Sequence, residues 1–149
     1  MIVENHQIAY RHVASKLYNF VPEEIEIAFQ DFDRILTKYG YHPSGAIFFS
    51  IISDPTAEVM TAQIFLPIAE SHFSIPKEEE VYFTSYFNVD NLLMTRIKDN
   101  FEIQSQEKYW ELFSYMEHNN MTQKTPIFVQ YKKAKTSNQI YAEMCLGVL

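Results

Sequence analysis

Apolar residues recur along this chain with two different periods, and the places where the period changes divide it into elements. Ile25, Ala28, Phe29, Phe32, Ile35, Leu36 and Tyr39 fall at helical spacing. Pro22, Glu23 and Glu24 mark the first turn, where proline fits and carboxylates meet the positive end of the helix dipole. Gly40 stands where a helix-ending glycine usually stands. Strand-like runs of β-branched and aromatic residues follow, Ile47 to Ile68 and Ile127 to Val148, each folded around a polar turn. The turns are Ser53-Asp54-Pro55-Thr56 and Ala134-Lys135-Thr136-Ser137.

These two hairpins align without a gap at an offset of 80 residues. Ile47/Ile127, Phe48/Phe128, Thr56/Thr136, Ala62/Ala142 and Leu66/Leu146 are identical, and Phe49/Val129, Ile64/Met144 and Ile68/Val148 match in character. The same offset carries Phe29, Phe32 and Leu36 to Tyr109, Leu112 and Met116 of a second helix. Gly40 maps to Asn120, which also tolerates the left-handed conformation. Ser105 or Gln104 is expected to open the second helix and Asn119-Asn120 to close it. Ahead of the helices, a strand from Ile8 to Leu17 maps near Asn88 to Ile97, with Val13–Leu17 opposite Leu93–Ile97.

The pattern predicts an α+β fold: a single domain over 1–149 built of duplicated β-α-β-β units, with antiparallel sheets, two helices and pseudo-twofold symmetry. Repeat one spans about 6–70, a linker about 71–80, and repeat two about 81–149. The linker contains SIPKEEE, dense in charge and holding a proline, and Val81–Val89 reads as an extra strand or an extension of the next one. One such unit cannot bury both its helix and its sheet. Two together are expected to leave a cleft between the repeats, a natural place for a ligand.

Composition narrows the partners. A net charge of −7 argues against a nucleic-acid partner, whose backbone requires clustered cations. The single cysteine, Cys145, excludes an internal disulfide and reads as a small buried apolar group. The opening residues lack the pattern of a signal peptide and no run reaches membrane-spanning length, so a cytoplasmic protein is expected. Three glycines leave no room for a phosphate-binding loop, and no metal-ligand spacing or nucleophile–base set stands out, so no cofactor, no metal and no catalytic residue is assigned. Asp31 and Asp33 flank Phe32 on the solvated side of their helix, while His6 and His12 lie at even spacing on the first strand.

The chemistry concentrates on the last strand. Alternation sets Tyr141, Glu143 and Cys145 on one face and Ala142, Met144 and Leu146 on the other, the second set being apolar enough to lie under the helices. Glu143, with its repeat mate Gln63, then faces the cleft, and Tyr109, Trp110 and Tyr131 are candidate walls. A carboxylate partly desolvated among rings favours a cation, which the rings also attract. Against this stands a plain alternative, in which Glu143 is a solvated residue on an exposed face and Trp110 packs at a helix edge.

The segments Ala62-Gln-Ile-Phe-Leu-Pro-Ile68 and Tyr141-Ala-Glu-Met-Cys-Leu-Gly-Val148 resemble the gyrase-inhibitor-like domain, which is also the effector-binding domain of multidrug-responsive regulators. The resemblance runs from Gln7 to Leu149, with Gly147 where that family often has proline. It implies an acidic residue on the last strand, here Glu143, holding cationic or polar ligands among aromatic rings. The sequence is more weakly similar to small Gram-positive bacterial proteins, some beside type VII secretion toxin genes.

Three functions fit. The first is a non-enzymatic module binding a small amphipathic or cationic molecule around Glu143. The second is an accessory, chaperone-like protein that binds another polypeptide, with a possible link to type VII secretion. The third is a small hydrolase using Glu143 and Tyr141 to activate water.

Overall fold

The computed structural model describes residues 1–54, 56–135 and 139–149, so Pro55, Thr136 and Ser137 of the expected turns lie outside the described residues. Among the described residues, six strands and two α-helices follow in the order β1 (Val3–Phe20), α1 (Ile25–Lys38), β2 (Phe48–Ile51), β3 (Met60–Pro67), β4 (Tyr82–Ile97), α2 (Phe101–His118), β5 (Gln123–Lys133) and β6 (Ile140–Val148). The fold is thus α+β with antiparallel pairing, as the periodicity predicts. Val81–Val89 forms the first part of β4 rather than a separate strand. The chain falls into two compact units, one of Ala9–Phe87 and one of Met1–Ile8 with Asn88–Leu149.

In the Ala9–Phe87 unit, β3 lies between β1 and β2, pairing from Val13↔Pro67 to Phe20↔Met60 and from Phe48↔Phe65 to Ile51↔Ala62. Pro22–Glu24 forms a 3₁₀ turn that feeds α1, whose buried stripe is Ala28, Phe32, Ile35 and Leu36. Contacts of Phe29 with Phe49 and of Tyr18 with Phe32 set α1 against the sheet face that bears Ala62, Ile64 and Leu66. The opposite face gathers Phe48, Phe65 and Phe87 into a ring cluster with centroids 4.8–5.5 Å apart. Ser74–Glu80 is anchored: Ser74 N–H donates to the Tyr41 hydroxyl at 2.6 Å, and Lys16 Nζ reaches the carbonyl of Glu79.

In the other unit, β6 lies between β4 and β5. Its pairs Phe128↔Cys145, Val129↔Met144, Gln130↔Glu143 and Tyr131↔Ala142 stand 80 residues on from Phe48↔Phe65, Phe49↔Ile64, Ser50↔Gln63 and Ile51↔Ala62. The helix ends obey the same offset. Gly40 (φ +85°) and Asn120 (φ +53°) are both left-handed, and the N–H groups of Tyr41 and Met121 close back onto the carbonyls of Leu36 and Met116 at 2.9 Å.

Two expectations need correction. The first strand runs one residue out of the 80-residue alignment, because Val13 pairs with Pro67 while Leu92, not Leu93, pairs with Gly147. His12 and Asn91, both at positive φ, immediately precede these two buried residues and follow the same shifted alignment. The second helix opens at Phe101, earlier than Gln104 or Ser105: Asn100 turns left-handed and offers its carbonyl to the N–H groups of Ile103 and Gln104. The Gln104 amide reaches back to Asp99 at 2.8 Å, so a residue expected to start the helix instead ties down its first turn.

Candidate functional site

Strand pairing builds the site. On β6, Glu143 sits between Arg96 of β4 and Gln130 of β5, and Tyr141 and Cys145 share its face. Lys132 stands opposite Tyr141, next along the same face. The other face, with Ala142, Met144 and Leu146, belongs to α2, as the Phe101–Tyr131 ring contact at 5.7 Å shows.

Glu143 is 2% exposed, so it is not a solvated surface carboxylate. A charge held so far from water requires compensation. Three groups of the same unit converge on it: Lys132 Nζ at 3.0 Å from Oε1, Arg96 Nε at 3.5 Å from Oε2, and His6 Nε2 at 3.7 Å from Oε1. Both Glu143 Oε1 and His6 Nε2 are buried yet have no partner in hydrogen-bond geometry among the described residues. The Arg96 guanidinium also lies over the Tyr141 ring, 5.3 Å from its centroid.

Burial holds the His6 imidazole below its ordinary value; Glu143 opposes this, while Lys132 and Arg96 add to it. His6 is therefore neutral at pH 7. Burial, followed by the charge of Glu143, pushes the Cys145 thiol up to about 12, which makes it unreactive.

The residues singled out in the sequence do not all gather here. Glu143 and Tyr141 do. Tyr131 pairs with Ala142 and so projects from the opposite face, against Phe101. Tyr109 stacks with Phe113 and Trp110 on α2, at 4.5 and 5.5 Å. Trp110 is 62% exposed and lines a shallow groove of 570 Å³ with Met1, Ile2, Glu107, Glu111, Ser114, Tyr115 and His118. Gln63 lies in the Ala9–Phe87 unit, where its amide donates to Ser15 Oγ at 3.1 Å. His12, evenly spaced from His6 on the first strand, meets Phe83 edge-on in that same unit. Asp31 accepts from the Tyr18 hydroxyl and from Arg34, each at 2.8 Å.

Sequence reasoning missed Lys132 and Arg96, and it noted His6 on the first strand without placing it beside Glu143. For the first two the available signal was alternation: Lys132 shares parity with Phe128 and Gln130, and Arg96 becomes visible once β4 is paired with β6. His6 could be placed on the first strand from its spacing, but its approach to Glu143 depends on contacts distant in sequence.

Among the described residues, no three His, Cys, Asp or Glu side chains gather as a metal site, and no helix is long and apolar enough to cross a membrane. No curated protein matches the chain. Among solved structures, the chain superposes on the C-terminal domain of EcmrR with a TM-score of 0.69 at 12% identity, covering 100% of this chain and 97% of that one. It also superposes on EcmrR in an EcmrR–DNA complex, with a TM-score of 0.69 at 13% identity, covering 99% of this chain but only 57% of the EcmrR chain. At such identities the likeness establishes the fold. A family model described as "Domain of unknown function (DUF5085)" matches residues 9–148, nearly the whole length, and the chain belongs to that family.

Proposed function

We propose that this chain is a non-enzymatic, effector-binding type of module that takes a small amphipathic molecule on the sheet face around Glu143. The observation that carries this reading is a carboxylate buried to 2% exposure that draws two cations, Lys132 and Arg96, and a buried histidine nitrogen without a hydrogen-bond partner among the described residues onto one sheet face. A fold maintains such a cluster at a cost in stability, and ligand recognition is a common reason for that cost. The shared fold with the EcmrR C-terminal domain supports the reading, as does the resemblance of the last strand to gyrase-inhibitor-like domains. The 80-residue correspondence of pairing and helix ends supports descent of both halves from one β-α-β-β unit. Hydrolysis is the weaker reading, since the groups closest to Glu143 are cations rather than a base or hydroxyl arranged to orient water.

A polypeptide partner is favoured by a different feature, the groove that exposes Trp110 beside Glu107 and Glu111. Its rings and carboxylates suit a basic, amphipathic segment.

Amide shift mapping by NMR, with a set of small aromatic anions and cations, separates the two readings. Shifts clustered at Arg96, Lys132, Tyr141 and Glu143 are expected. Binding confined to Trp110 and Tyr115, or no binding at all, overturns the module as described.

A further inference from the structure

We infer that the ligand of this site carries an anionic group, a carboxylate, sulfonate or phosphate, rather than a positive charge. The inference rests on the proposed small-molecule site and names its ligand class. Glu143 is already matched from within the same unit, by Lys132 at 3.0 Å and Arg96 at 3.5 Å. An incoming cation would have to compete with both and would be repelled by both. The charged groups acting on His6 are one acid, Glu143, and two bases, Lys132 and Arg96, so the cluster carries a net positive charge while His6 is neutral.

The two bases lie at the solvent side of the buried acid: the side chain of Arg96 is 57% exposed and that of Lys132 39%, against 3% for Glu143. Glu143 acts as an internal anchor that orients them. A guanidinium presents five donors, and its approach to Glu143 is through Nε, which leaves the fork suited to a planar anion on the Tyr141 side.

The surroundings point the same way. Although the chain carries −7 overall, Lys98 and Lys135 flank Arg96 and Lys132 at this end of the sheet, while Lys133, paired with Ile140, projects from the α2 face. Lys98, Lys133 and Lys135 are exposed. The nearby Asp99 carboxylate accepts from the Gln104 amide at the start of α2. A positive patch on an acidic protein concentrates anions locally and leaves the rest of the surface repelling them.

The test pairs ligands of one shape and opposite charge. 1-Naphthoate, 1-naphthyl phosphate and 1-naphthylmethylammonium are titrated calorimetrically into the full chain, wild type and variants, at two salt concentrations. The expected result is binding of one or both anions, at least about tenfold tighter than the ammonium, weakened about tenfold by Arg96→Gln and largely restored by Arg96→Lys. Glu143→Gln is expected to keep or tighten anion binding. The stronger of naphthoate and naphthyl phosphate tells a carboxylate site from a phosphate site. Tighter binding of the ammonium, lost in Glu143→Gln, overturns this inference while leaving the module reading intact. Absence of binding by all three, with no shifts at Arg96, Lys132 or Tyr141 in the NMR experiment, sinks both. Lys132→Gln provides a second reading of the same charge if Arg96→Gln fails to fold.

Discussion

Lys132 Nζ lies 3.0 Å from Glu143 Oε1, yet one side chain is well exposed and the other is buried. The pair is therefore asymmetric. Lys132→Met leaves a buried carboxylate with Arg96 and the neutral His6 and is expected to cost about 2 kcal/mol. Glu143→Gln lets both bases turn into water and is expected to cost less, about 1 kcal/mol. Urea unfolding of both variants gives the comparison, and a larger loss for Glu143→Gln would show that the glutamate's own packing dominates.

The folded value of His6 is depressed below its ordinary 6.5, so between the two values the unfolded chain binds more protons. Stability therefore rises with pH through that window, and a penalty sets in as pH falls below 6.5. His6→Gln is expected to flatten the dependence of stability on pH from 6.5 downward. An unchanged slope would mean that His6 is accessible enough to protonate without cost.

Cys145 is buried, with its thiol held near 12. It is expected to resist alkylation by iodoacetamide at pH 8 in the native state and to react readily once denatured. Mass spectrometry of the two samples reads this directly. Rapid native labelling would reveal an opening of β6.

Gly147 and Thr125 interlock. Gly147 N–H donates to Thr125 Oγ1 at 2.8 Å, and a Cβ on Gly147 would lie 2.5 Å from Thr125 Cγ2. Gly147→Ala is expected to cost about 2 kcal/mol through that clash, and Gly147→Pro more, because proline also removes the donor. In a Thr125→Ala background the additional cost of Gly147→Ala should shrink, a coupling that a double-mutant cycle measures.

Asn120 closes α2 at φ +53°, where Gly40 closes α1 at φ +85°. Asn120→Gly should relieve the side-chain penalty of the left-handed region and stabilise the protein by about 0.5 kcal/mol, seen as a rise in Tm. A fall in Tm would show that the Asn120 side chain contributes more than its conformation costs.

Local patterns made much of the fold legible. The stripe of Phe32 and Leu36 with its terminal Gly40, and the matching Leu112, Met116 and Asn120, can be read from spacing alone because helix contacts are local. The parity that groups Glu143 with Tyr141 and Cys145 is likewise a property of one strand. The counter-charges are not. That Arg96 stands opposite Glu143 depends on the register of β4 against β6, and that register departs by one residue from the alignment of the hairpins. His6 reaches the site from a segment far away in sequence. Tyr131 illustrates the reverse error: it is near Glu143 in sequence space, but its pairing with Ala142 turns it to the helix side.

The unit that holds Glu143 takes residues from both ends of the sequence, Met1–Ile8 and Asn88–Leu149. This sets an order of assembly during synthesis. The Ala9–Phe87 unit is one uninterrupted stretch and can close as soon as it leaves the ribosome. Met1–Ile8 must wait for β6 before His6 meets its carboxylate. The site is thus completed only after the Ala9–Phe87 unit, and a chain that stops short of β6 lacks it.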